Sequence, residues 1–312
     1  MAVRYNRGVP DEINTKLLDE AGIEYRTGYP LSRLTSLRTG GDALIITWPR
    51  TALQLETVLS YASQKGLQVS AVGNMTNILA SDSGWDGMLI CMNRLRGIVI
   101  KGDLFISCAG ESLDTVINKA IEHNLCGLEE LGGIPGTIGG ATVCNAGANG
   151  KQISDYFFYA DYITPDGKIR RMPSYSDAFS YRTSPFRAGE IIISAAFRLS
   201  VNRNTAESRE KKEAYRAKRI EAHQFDAPSA GCFFKNPPLL SAGKLIEEAG
   251  LKGFSRNGAL VSPWHANFIV NQGSAASRDI FQLAELVRST VCRKFNIELE
   301  YEVKLLGKFE TE

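Results

Sequence analysis

Glycine is packed most densely in residues 127–150, GLEELGGIPGTIGGATVCNAGANG, where it occupies positions 127, 132, 133, 136, 139, 140, 147 and 150. Glycine at this density weakens ordinary helix and strand, because it loses the most backbone freedom on folding. It is useful where the backbone turns tightly or comes close to a ligand. The centre of the run lacks the Ser, Gln, Lys and Glu of a flexible linker and carries apolar residues instead. The segment therefore reads as a buried turn whose N–H groups face an anion, most often a phosphate. A tightly packed loop with no ligand is the alternative.

Composition narrows the class of protein. A chain of 312 residues has room for two or three domains, and its 44% apolar content is that of a globular protein. A net charge of +2 gives no global attraction to nucleic acid or to a membrane surface. No apolar run approaches the roughly 20 residues that cross a bilayer, and the N-terminal MAVRYNRGVPDEINTK has no signal-peptide core. A cytoplasmic protein is the expectation. Six cysteines (Cys91, Cys108, Cys126, Cys144, Cys232, Cys292) form no C-x-x-C pair, and several sit in apolar runs such as LICM and FISCAG. Those in the apolar runs read as free, buried thiols of a reducing compartment. His123, His223 and His265 have no ligand spacing to the cysteines, so no metal site is expected.

Periodicity predicts strands at 44–48, 69–73 and 87–92, and a helix over 51–65 capped by Thr51 and Gln54, with Leu55, Val58, Leu59 and Ala62 inward. A hairpin is predicted around Gly102–Asp103. A helix over 112–124 should bury Leu113, Val116, Ile117, Ala120 and Ile121. A second hairpin should turn at Pro165-Asp166-Gly167, with a further strand at 190–200. The charged stretch TAESREKKEAYRAKRIEAHQ reads as a helix with a solvated face, leading into a separate C-terminal domain. A helix over 277–295 and a terminal strand over 299–307 complete an α+β pattern with mixed sheets, unlike one doubly wound parallel sheet.

Two turns carry candidate chemistry: VGNMTN at 72–77 and GGIPGTIGGA at 132–141. Each presents N–H groups and a hydroxyl, Thr76 or Thr137, that can donate to a phosphate oxygen. Neither is a Rossmann or Walker motif. Two separate turns suit a pyrophosphate gripped from both sides.

With these stand LTSLRTGG (34–41), LAS (79–81), FSYRTSPF (179–186), PSAGCFFKNP (228–237), GKLIEEAGLKG (243–253), HANFIVNQG (265–273) and LEYEV (299–303). In this order they resemble the UDP-N-acetylenolpyruvoylglucosamine reductases, flavoenzymes of peptidoglycan precursor synthesis. The resemblance spans about residues 30–307. It implies an FAD-binding fold of the vanillyl-alcohol-oxidase type in two subdomains, 1–92 with 301–312 and 93–205, plus a C-terminal α+β substrate domain, 206–300. It implies non-covalent FAD held by Gly73, Asn74, Met75, Thr76, Asn77, Gly132, Gly133, Pro135, Gly136, Thr137, Gly139, Gly140, Ala141 and Asn145. It further implies NADPH as co-substrate and a monomer acting on UDP-N-acetylglucosamine enolpyruvate.

Roles transfer by motif. Arg182, in the YR-x-S-x-F pattern, matches the arginine on the enolpyruvyl carboxylate, and Asn236 an asparagine lining that site. Glu302 matches the glutamate that assists enol formation. Cys232 stands where most members carry the serine that protonates the substrate. About fifty residues separate Arg182 from Cys232, as in the shorter branch that lacks an extra tyrosine-bearing loop. The residue types fit the reaction independently. Hydride addition to the β-carbon of a vinyl ether sends charge to the α-carbon and its carboxylate, which a guanidinium fork can pair. An acidic group kept protonated by that charge is useful, and the α-carbon then needs a proton. A thiol, ordinarily ionising near pH ~8.5, can supply it.

Taken singly, each residue has a plainer reading: a surface arginine packing its stem, a solvated glutamate, a small buried cysteine. His265 reads as structural. The chain departs from the family at Cys232 and at VGNMTN, where relatives have G-x-G-S-N or a close variant. Two other functions compete. An oxidase on the same fold often tethers its flavin through a histidine near the first turn, and residues 30–80 contain none. A non-catalytic nucleotide-sugar binder would be colourless.

Overall fold

The computed structural model describes residues 14–174 and 178–310. Residues 1–13, most of the N-terminal stretch expected to lack a signal-peptide core, lie outside them, as do the last two residues of the expected 301–312 segment. The chain divides into two compact units. The first comprises Met1–Gly28, Ile45–Asn74 and Gly87–Lys218, and the second Tyr29–Leu44, Met75–Asp86 and Arg219–Glu312. This cut differs from the three-part division expected from the sequence: residues 29–44 and 75–86, expected with the first FAD subdomain, group with the C-terminal residues.

In the first unit the helix Ala52–Gln64 begins where Thr51 accepts a hydrogen bond from the Gln54 N–H, and it buries Leu55, Val58, Leu59 and Ala62. Strands Val69–Val72 and Trp85–Cys91 run parallel, with Val69 opposite Met88. A five-stranded antiparallel sheet follows in the order Ile169–Pro173, Phe157–Ile163, Ile191–Arg198, Leu104–Cys108, Ile98–Lys101. Both predicted hairpins are in it. Helix Leu113–Glu122, capped by Ser112, buries the five residues its periodicity named. Cys91 is buried among apolar neighbours, and burial pushes its thiol up to about 12.

The charged helix forms as Thr205–Glu221, but its face is not wholly solvated. Lys212 is 3% exposed, and its ammonium reaches Asp114 Oδ1 at 2.7 Å and Asn118 Oδ1 at 2.8 Å. The helix is fastened to Leu113–Glu122 by a buried charge, which is tolerated only because it is paired.

The second unit is built on the antiparallel sheet Ser229–Cys232, Phe268–Asn271, Ala259–Val261, Ser255–Arg256. Helix Ser277–Phe295 packs on it with Ile280, Leu283, Ala284, Val287 and Val291 buried, in the predicted bounds. The terminal strand is shorter than expected. Tyr301 bridges to Phe234, whereas Lys304–Leu306 pairs in parallel with Ile78–Ala80. The chain changes partner between them, so Glu302 belongs to no regular strand. Among the described residues no helix is long and apolar enough to cross a membrane.

Candidate active site

The glycine-rich run is partly ordered. A short helix, Ile138–Val143, starts at Thr137, whose hydroxyl accepts from the Gly140 N–H at 3.3 Å. Residues 136–139 lie along residues 109–113: Leu113 N–H donates to Gly136 O (3.1 Å), Ile138 N–H to Glu111 O (2.8 Å) and Gly139 N–H to Ala109 O (2.9 Å). Those bonds spend the N–H groups of Ile138, Gly139 and Gly140 inside the protein. The N–H groups of Gly133, Gly136 and Thr137 have no hydrogen-bond partner among the described residues. Gly136 takes φ +142, a conformation closed to most side chains.

The two turns meet within this unit. A Cβ built on Gly73 would fall 2.3 Å from Thr137 Oγ1, so only glycine permits the approach. The Gly73 N–H is also without a partner among the described residues. At Gly140 the situation is reversed: a Cβ there would meet only Thr137 Oγ1, at 3.6 Å. The protein itself leaves the outer side of Gly140 open. Unpaired backbone donors, a threonine hydroxyl with its proton to give and a glycine with an open side form a donor set for a polyanion. These residues fit the pyrophosphate of a dinucleotide such as FAD.

Asn145 sits differently from the other expected cofactor contacts. It is fully buried and its carboxamide is engaged by protein: Nδ2 donates to Ser180 O (3.0 Å) and Gln152 Oε1 (3.2 Å), and Oδ1 accepts from Ser154 N–H (3.0 Å). Ser180 and Thr183 exchange backbone bonds of 3.2 and 3.1 Å, closing a tight turn around Tyr181 and Arg182. Arg182 takes φ +56, left-handed and costly for a long side chain, and its guanidinium lies 5.2 Å from the Tyr181 ring centroid.

Gly132, Pro135, Ala141 and Asn74 lie in the first unit, whereas Met75, Thr76, Asn77, Cys232, Asn236 and Glu302 belong to the second. Met75 carries the left-handed backbone of VGNMTN, at φ +51, while Asn74 does not. The Met75 side chain is 3% exposed. Burying it contributes ~1.5–3 kcal/mol, which offsets a backbone strain of ~1–3 kcal/mol. Asn77 Nδ2 donates to Glu302 O at 3.2 Å, joining that turn to the C-terminal segment. Glu302 N–H donates to Phe233 O (2.9 Å) and Lys235 N–H to Glu300 O (2.8 Å). These bonds place the Cys232 and Glu302 segments side by side. Asn236 Oδ1 accepts from Ala242 N–H at 3.0 Å, at the start of helix Ala242–Glu248.

Sequence reasoning gave no role to Asn267, in HANFIVNQG. It is 3% exposed and grips both sides of Phe234: Oδ1 accepts from its N–H (3.0 Å) and Nδ2 donates to its carbonyl (2.8 Å). The Asn267 carbonyl also accepts from Phe233 N–H at 2.7 Å. The signal was an asparagine inside an otherwise apolar strand pattern. Tyr301, stacked on Phe234 and hydrogen-bonded to Glu285, steadies the facing segment. Burial and that carboxylate push its phenol well above the usual range. Burial also lowers the His265 imidazole, with Lys252 and Arg219 acting in the same sense.

Family models match both the N-terminal and the C-terminal part of the chain. The family model for the FAD binding domain matches residues 43–173, and that for the C-terminal domain of UDP-N-acetylenolpyruvoylglucosamine reductase matches residues 223–306. The reductase of that name from Caldanaerobacter subterraneus subsp. tengcongensis is 38% identical over 280 residues, covering 89% of this chain and 92% of its own. That from Nostoc punctiforme is 38% identical over 284 residues, covering 90% and 85%. The crystal structure of UDP-N-acetylenolpyruvylglucosamine reductase from Thermus caldophilus superposes with a TM-score of 0.77 at 29% identity, over 91% of this chain and 99% of that one. With glycine turns that fit a dinucleotide and relatives matched along nearly their whole length, the chain belongs to the UDP-N-acetylenolpyruvoylglucosamine reductase family.

Proposed function

We propose that this protein is an FAD-dependent reductase that uses NADPH to convert UDP-N-acetylglucosamine enolpyruvate to UDP-N-acetylmuramate for peptidoglycan synthesis. The observation that carries the reading is the meeting of Gly73 with Thr137 beside the unpaired N–H groups of Gly133, Gly136 and Thr137. Those groups, with the open side of Gly140, would hold the FAD pyrophosphate. FAD held there would supply a hydride, taken from NADPH, to the β-carbon of the enolpyruvyl group.

The protein's own residues manage charge and proton. Arg182 pairs with the enolpyruvyl carboxylate and favours the enolate-like transition state electrostatically. Glu302 assists the enol, and Asn236 lines the same group. Cys232 gives its thiol proton to the α-carbon, so hydride and proton together saturate the double bond. The turn from Ser180 to Thr183 supports the first assignment, because it holds an arginine in a conformation that folding alone does not favour. The backbone pairing of Phe233 with Glu302 supports the next, since it draws the Cys232 and Glu302 segments together. Two water-soluble, phosphorylated substrates favour action in the cytoplasm.

The test is anaerobic. The purified protein is yellow, NADPH bleaches it, and the enolpyruvyl nucleotide sugar restores the colour while gaining two hydrogens. A colourless protein, or one whose bleached form ignores that sugar, would refute the reading.

A further inference from the structure

We infer that Asn145 positions Arg182 for the substrate carboxylate and does not serve as a cofactor ligand. The inference rests on the proposed role of Arg182. Three features of the first unit carry it. Asn145 is fully buried, and each polar atom of its carboxamide already has a partner in the protein. A carboxamide so engaged has no donor left to offer a phosphate without breaking one of those bonds. One of its partners is the Ser180 carbonyl, which also accepts the Thr183 N–H at 3.1 Å. That second bond closes the turn in which Arg182 sits at φ +56.

A left-handed arginine persists only where its surroundings over-determine it. Ser180 and Thr183 bond each other, but a two-residue turn so closed can still swing as a body. Asn145 fixes it at one corner. Asn145 itself has φ +43, a conformation asparagine tolerates better than other side chains, and Ser154 N–H and Gln152 hold its side chain in place. The chain of contacts therefore runs from the end of the glycine-rich segment, through one carboxamide, to the carbonyl two residues before the guanidinium. A misplacement of about 1 Å at a carboxylate clamp costs up to roughly 100-fold in rate.

Asn145→Asp tests this. It keeps the acceptor for Ser154 N–H and replaces the donor to Ser180 O with an oxygen that repels it. FAD affinity, titrated into the apoprotein, should stay within about twofold, and so should the rate at which NADPH bleaches the flavin. Recovery of colour on adding the enolpyruvyl substrate should slow by roughly 10- to 100-fold. In an Arg182→Ala background the same change should add nothing, because an arginine that is absent cannot be misplaced. Asn145→Gly, which accepts φ +43 without strain, provides the same readouts if the aspartate variant does not fold. Loss of FAD affinity in either variant would return Asn145 to the cofactor site and overturn the inference, as would additive losses in the double variant. If Arg182→Ala alone leaves colour recovery unchanged, the reading of Arg182 fails, a result distinct from failure of Asn145 alone.

Discussion

The two units build their candidate functions from different parts of the polypeptide. Apart from the Arg182 side chain, the first offers a ligand backbone N–H groups, spaced by glycines that let Gly73 and Thr137 approach. The second offers side chains, Cys232 and Glu302, on segments joined by backbone bonds and gripped by the Asn267 carboxamide. A backbone site depends on the absence of side chains, so any added carbon can ruin it. A side-chain site depends on the identity of a few groups and on the hidden residues that aim them.

That contrast is sharpest at two glycines. Gly140→Val should yield a folded but colourless protein, since the new side chain meets little of the protein and would enter the space assigned to the pyrophosphate. Gly73→Ala should lose FAD and also destabilise the apoprotein, because its methyl collides with Thr137. Flavin absorbance per chain and thermal unfolding of the apoprotein separate the two. A Gly140→Val protein with full flavin content would remove this stretch from the cofactor site.

Arg182→Ala should slow the reaction with substrate by roughly 10²–10³-fold, the usual worth of one charge-stabilising donor. Reduction by NADPH should hardly change, and Arg182→Lys should recover only part of the loss. Equal impairment of both half-reactions would mark the arginine as structural.

Asn267→Ala leaves the Phe234 N–H and carbonyl buried without partners, each costing ~1–3 kcal/mol. The expected destabilisation is about 2–6 kcal/mol, read as a lower urea midpoint. A midpoint equal to the parent's would mean that the Phe234 strand does not need this clamp.

The smallest effect concerns pH. His265 is held below its ordinary pKa in the folded protein, chiefly by burial. The unfolded chain therefore binds the proton more readily, and stability falls as pH drops from the unfolded value towards the folded one. Its substitution by Gln should flatten that acid-side loss, which sets in as pH falls below about 6.5. An unchanged slope would assign the loss to other groups.

How far the sequence disclosed this follows the same division. Helices such as Ala52–Gln64 and Ser277–Phe295 were legible because apolar period and caps agree. The glycine turns proposed to hold phosphate stand out in the sequence because a backbone site leaves a compositional trace. Their meeting at Gly73 and Thr137 was not, since nothing local records which residues a glycine must clear. Lys212 looked solvated because its partners, Asp114 and Asn118, lie about a hundred residues away. The break at Glu302 was hidden for the same reason: alternation runs on through LEYEVKLLG while the strand changes partner. The roles proposed for Cys232, Arg182 and Glu302 come from family resemblance, since singly each residue has a plainer reading. Asn145 and Asn267 look, in sequence, like any asparagine near a turn or a strand.

In the proposed mechanism the backbone turns hold the cofactor, while Cys232 acts only on the substrate. Anaerobic stopped-flow on Cys232→Ala tests it directly. NADPH should bleach the bound flavin at the parental rate, and recovery with the enolpyruvyl nucleotide sugar should slow by roughly 10²–10⁴-fold, the usual worth of a positioned acid. Cys232→Ser should restore recovery, because a hydroxyl can also deliver the proton. Parental recovery in the alanine variant would contradict the claim and leave Cys232 as a packing residue.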